Sequence, residues 1–258
     1  MSNSFEMTEN WLLHSGIYVS ESSDLNFGGV HSFYDEKNKE FAFLYPEITG
    51  YFASTMRFLY EHKKNEKYVD YAKASCNWLI DLYEKYGGII QGISSQGITT
   101  KYVYSFDTAI CSKGLLDCYL ISKENKFLEY AEKLNNWILT ETLENDGIVK
   151  PVKNLDSDEF EIDNKVWYKK SGCLHIKLTI PLLQLYKITN NKNMLDAAKK
   201  IANSIILFQQ PDGSILLHKD NKVVNLHTLL YALEGLIQIY NVTQDETCLL
   251  YTSPSPRD

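Results

Sequence analysis

Four titratable side chains recur at one position of a repeated pattern. Glu47, Asp107, His175 and His227 each stand 11 to 13 residues before a tyrosine that closes an apolar run, in Leu59-Tyr60, Cys118-Tyr119, Leu185-Tyr186 and Ile239-Tyr240. Carboxylates and imidazoles are groups that move protons. Acid and base catalysis by a carboxyl pair needs one protonated and the other ionised, and differing environments can separate their pKa values. Glu47 and Asp107 are the candidates for that pair. Two histidines can pass a proton between them and a substrate atom, or in charged form meet an anionic group. Each type also has an ordinary use, because acids in a first helical turn complement the helix dipole and core histidines satisfy carbonyls. Equivalent placement of all four favours a common site.

The elements that must position them are helices. Pro46 suits the first turn of a helix, where its missing N–H is not needed, so Glu47 lies near a helix start. Apolar periodicity predicts helices over 47–62, 65–86, 105–122, 124–142, 171–189, 191–209 and 225–240, after the end of another over 5–15. Those carrying the four candidates are apolar nearly all round, whereas 65–86, 124–142 and 191–209 keep one wet face. Inner helices lining a ring and outer helices wrapping it produce this contrast, and the inner N-termini then gather at one mouth. Tyr45, Tyr51, Tyr104, Trp167 and Tyr168 are expected in loops at that mouth, where flat aromatic faces suit sugar rings. Glu234, seven residues beyond His227, reads as a buried hydrogen-bonding partner or as a third carboxylate.

Composition narrows the partners. The 258 residues carry a formal charge of −7, which argues against nucleic acid, since such a partner demands a basic patch. No apolar run approaches a membrane span and no charged-then-apolar leader precedes Trp11, so a cytoplasmic location is expected. Cys76, Cys111, Cys118 and Cys173 include no Cys-x-x-Cys pair and read as buried free thiols. Cys173, His175, Asp107 and His227 can be drawn as a zinc site, but their spacing supplies no tight ligand pair. No metal or cofactor is expected.

The final Cys248–Asp258 stretch, CLLYTSPSPRD, resembles a translated sequencing adapter. It is read as a non-native tail, leaving 1–247 as a fragment of one domain truncated at its C-terminus. Over 1–247, the alternating hairpins, the acids and histidines at inner-helix starts, and the runs YPEITGY and YSFDTAI resemble the six-hairpin glycosidase superfamily. That resemblance implies an all-α, (α/α)6-type toroid and a carbohydrate-active enzyme, with glycoside hydrolysis first. It implies a sugar or oligosaccharide partner, acidic ones included. Epimerase or lyase chemistry on the same fold is the nearest alternative. A toroid like those of prenyltransferases and terpenoid cyclases is another, prompted by the Gln209-Gln210-Pro211-Asp212-Gly213-Ser214 turn, and a non-catalytic glycan-binding or scaffold protein is a third.

Overall fold

A computed structural model describes residues 3–163, 165–246 and 248. Apart from Cys248, the adapter-like tail lies outside the described residues. The chain splits into two compact units, one of Met1–Val103 with Ile110–Ala131 and one of Tyr104–Ala109 with Glu132–Asp258.

The first unit contains α1 (Asn3–His14), the hairpin β1 (Tyr34–Asp35) and β2 (Glu40–Phe41), α2 (Pro46–Lys63), α3 (Lys67–Tyr86) and the hairpin β3 (Ile93–Ser94) and β4 (Gly97–Ile98). Strand β5 (Tyr102–Tyr104) runs into α4 (Ser105–Ser122), and α5 (Asn125–Trp137) follows; both helices are divided between the units. Tyr45 is extended, at φ −121° and ψ 112°, as a residue before proline must be, and α2 starts at Pro46. Its core is built from large side chains. Tyr18 stacks on Phe52 at 4.8 Å, and Met56 and Leu79 are fully buried. Backbones meet where α2 crosses α4. A Cβ on Gly50 would stand 2.8 Å from the Ile110 carbonyl oxygen, and one on Gly114 2.7 Å from that of Gly50.

The second unit continues with a π-helical turn, Ile138–Thr142, the hairpin β6 (Val152–Asn154) and β7 (Glu159–Glu161), and a 3-10 turn at Trp167–Lys169. A 3-10 segment, Cys173–Leu178, leads into α6 (Thr179–Thr189), with α7 (Lys192–Ile206) and α8 (Leu226–Thr243) beyond. The sequence predicts a continuous helix from 171. Pro181 explains the difference, because it has no N–H to give the Lys177 carbonyl and its ring crowds that turn, so the chain before Thr179 winds more tightly.

The four closing tyrosines have a common structural cause. The carbonyls of Tyr60, Tyr119, Tyr186 and Tyr240 accept the N–H of Lys64, Lys123, Asn190 and Gln244, each in the left-handed conformation that ends its helix. Repeated helix ends are therefore repeated caps.

Candidate active site

The N-terminus of α4 is pinned by Ser105, whose N–H and hydroxyl both donate to the Pro151 carbonyl, at 3.0 and 3.2 Å. Asp107 follows in the first helical turn and is 5% exposed. The aromatic residues that flank it in sequence, Tyr104 and Phe106, make ring contacts within the second unit. Phe106 lies against Tyr231 with ring centroids 5.3 Å apart, while Tyr104 meets Tyr168 edge-on at 5.9 Å and Tyr168 meets Trp167 at 5.5 Å. Trp167 and Tyr168 keep part of their faces open to solvent.

Helix α8 brings the other groups. Asn225 caps it, its side-chain oxygen accepting from the N–H of His227 at 2.9 Å and of Thr228 at 3.3 Å. His227 is exposed and meets Tyr231, one turn on, at 4.4 Å. Lys177, from the 3-10 segment, is almost wholly buried; its ammonium lies 4.5 Å from the Tyr231 ring centroid and ion-pairs with Glu234. A buried ammonium needs such a counter-charge, since desolvating it alone would cost several kcal/mol, on the order of 5. Phe106, Tyr231, His227, Lys177 and Glu234 form one connected set. Apolar faces with a few fixed polar groups are what a sugar ring requires.

Several expectations change. His175 does not open an α-helix at a mouth; it sits in the 3-10 segment, 2% exposed, with Nδ1 against the Gly172 backbone and, among the described residues, no hydrogen-bond partner at Nε2. Burial pushes its pKa down to about 4, so near neutrality it is uncharged and cannot attract an anionic group. Tyr51 lies inside α2 rather than in a loop. Glu234 is exposed, and the buried member of its pair is Lys177. Tyr45 precedes α2 and packs on Phe43 at 5.6 Å, and Glu47 occupies the first turn of α2; both belong to the first unit. Asp212 accepts from the Ser214 N–H and hydroxyl, the use of an ordinary turn. Among the described residues no three His, Cys, Asp or Glu side chains gather as a metal-ligand set, and no helix is long and apolar enough to cross a membrane. Cys76, Cys111, Cys118 and Cys173 are buried free thiols.

Residues 16–232 match the profile of glycosyl hydrolase family 76. The chain belongs to that family. The family 76 chain superposes on a GH76 alpha-mannanase from Bacteroides thetaiotaomicron with a TM-score of 0.75 at 13% identity, covering 96% of this chain and 65% of that one. For a second family 76 mannosidase of Bacteroides thetaiotaomicron the TM-score is 0.65 at 19% identity, with 80% and 56% covered. A cellobiose 2-epimerase from Bacillus thermoamylovorans gives 0.51 at 15% identity, with 98% and 86% covered. The chain thus spans 56 to 65% of the length of these two family 76 structures. The fold is all-α and of the (α/α)6-toroid type. No curated protein matches in sequence.

The stretch matched to family 76 contains Glu47, Asp107, His175 and His227 and ends two residues before Glu234. Lys177 and Tyr231 are the residues that sequence reasoning passes over. Tyr231 stands four positions after His227, the spacing at which helical side chains meet. Lys177 is a charge inside the apolar run LHIKLTIPLL, which signals a buried, paired cation.

Proposed function

We propose that this family 76 chain hydrolyses glycosidic bonds in an oligosaccharide of the α-mannoside class. The family match over residues 16–232 carries the reading, and the alpha-mannanase named among the similar structures supplies the sugar. Asp107 is the carboxyl assigned to proton transfer: protonated, it gives its proton to the leaving oxygen, and ionised, it draws a proton from the attacking water. Glu47 is the candidate for the second carboxyl. His227, Tyr231, Trp167 and Tyr168 are assigned to the sugar's faces and hydroxyls, with Tyr45, Tyr51 and Tyr104 as further binding candidates.

Two-base epimerisation fits less well, because His175 is buried and uncharged and so makes a poor partner for His227. An acidic glycan is disfavoured by the formal charge of −7, and Lys170 is already engaged by Asp220 at 2.6 Å. A product screen over α-manno-oligosaccharides, unsaturated uronides and cellobiose tests the reading. Shortened manno-oligosaccharides are expected; cellobiose converted to its C2 epimer with no mannoside cleaved would replace it by epimerisation.

A further inference from the structure

The first unit holds a cavity of about 390 Å³ between its two short hairpins, lined by Asn26, His31, Glu40, Phe41, Phe43, Ser94 and the exposed Ser95, among others. Pairing of Leu44 with Ile93 ties the hairpins together behind it. Its floor is aromatic. Phe41 stacks on His31 at 5.1 Å with 25° between planes, and Tyr34 braces it edge-on at 5.0 Å. Gly16, at φ +92°, lets the chain pass close beside that ring, since a Cβ there would stand 3.0 Å from its Cε2 atom.

The walls offer unspent polar groups. A carbonyl can only accept, so at 2.6 Å from the Ala42 oxygen His31 Nδ1 carries a hydrogen, and a ring with that hydrogen alone offers Nε2 as an acceptor. The Glu40 carboxylate and the Asn26 side-chain amide make no hydrogen bond among the described residues. The cavity therefore combines one flat face, several acceptors and an amide donor, and the charge in its lining is negative. An anionic sugar would be repelled by Glu40, and a wholly apolar ligand would cover the half-buried Asn26 amide without giving it a partner. A neutral pyranose satisfies both conditions, laying its C–H face on Phe41 and turning its hydroxyls to the walls. The volume falls at the small end of the roughly 300–1,000 Å³ usual for small-molecule sites.

We propose that this cavity is a binding subsite for one neutral hexose unit of an oligosaccharide. The Phe43-Leu44-Tyr45 segment leads from it into the first turn of α2, where Glu47 stands. That the hexose is mannose rests on the hydrolase reading above; that it is a neutral pyranose does not. Calorimetric titration of the intact chain with α-linked mannotriose, with a neutral glucose trisaccharide and with trigalacturonate tests the subsite. Binding of at least one neutral trisaccharide is expected, weakened about tenfold or more by Phe41→Leu, which removes the flat face, and by Ser95→Trp, which crowds the exposed rim. Trigalacturonate should bind at least tenfold more weakly than the neutral sugar. Absence of neutral-sugar binding, affinity in both variants equal to the parent's, or preference for trigalacturonate overturns the subsite. A chain that cleaves mannosides with binding indifferent to Phe41 and Ser95 loses the subsite and keeps the hydrolase reading. One that binds through Phe41 and cleaves nothing keeps the subsite and loses the hydrolase reading.

Discussion

At the scale of single residues, sequence and structure agree that Glu47, Asp107 and His227 begin helices, and they part over His175. Its imidazole stays uncharged because burial opposes protonation, with the Gly172 backbone opposing that shift in part and His218 adding to it. With a folded pKa of about 4 against about 6.5 unfolded, the unfolded chain binds the extra proton between those values. Stability supplied by neutral His175 is therefore complete above about pH 6.5 and is lost as pH falls toward 4, a difference of roughly 3 kcal/mol. Denaturant unfolding at pH 7 and 4.5 measures it. The parent should lose stability over that interval and His175→Gln should lose visibly less, with any remaining slope in the same direction attributable in part to His218, whose pKa is also lowered by burial. Equal slopes in both proteins would remove His175 from the effect. The sequence could not reveal this burial, since a histidine at a helix start looks the same whether it faces a cleft or the core.

At the scale of elements, helix positions were legible because apolar spacing and the recurrent closing tyrosines are local features. The spans 47–62 and 105–122 correspond closely to Pro46–Lys63 and Ser105–Ser122. Close contacts were not legible. The Gly50–Gly114 crossing joins residues 64 positions apart, and nothing in either neighbourhood marks the other. With the Ile110 oxygen 2.8 Å and the Cys111 Cα 3.0 Å from its added methyl, Gly50→Ala should destabilise the fold by about 1–3 kcal/mol through overpacking. A fall in the denaturant midpoint at constant slope would register it, whereas an unchanged midpoint would mean that the crossing relaxes freely. The hairpins around the His31–Phe41 cavity escaped for another reason: strands of two residues have no periodicity to read.

At the scale of the whole molecule, the alternation of apolar and half-wet helices was enough to indicate the all-α toroid class, because that contrast is imposed by layers and not by any single contact. Catalytic identity lies in groups placed on the fold, and here the sequence offered candidates without their neighbours. Asp107 was visible as an acid in a first turn; the Tyr231–Lys177–Glu234 assembly in the same unit was not, because Lys177 and Glu234 are 57 positions apart. The central claim is that Asp107 moves the proton in glycoside cleavage by this family 76 chain. Anomeric-proton NMR of an α-manno-oligosaccharide incubated with the parent and with Asp107→Asn tests it most directly. The account predicts new anomeric signals of shortened products with the parent and a rate at least about a thousandfold lower with the amide. Cleavage at the parent's rate by Asp107→Asn, or an intact oligosaccharide after incubation with the parent, would contradict it.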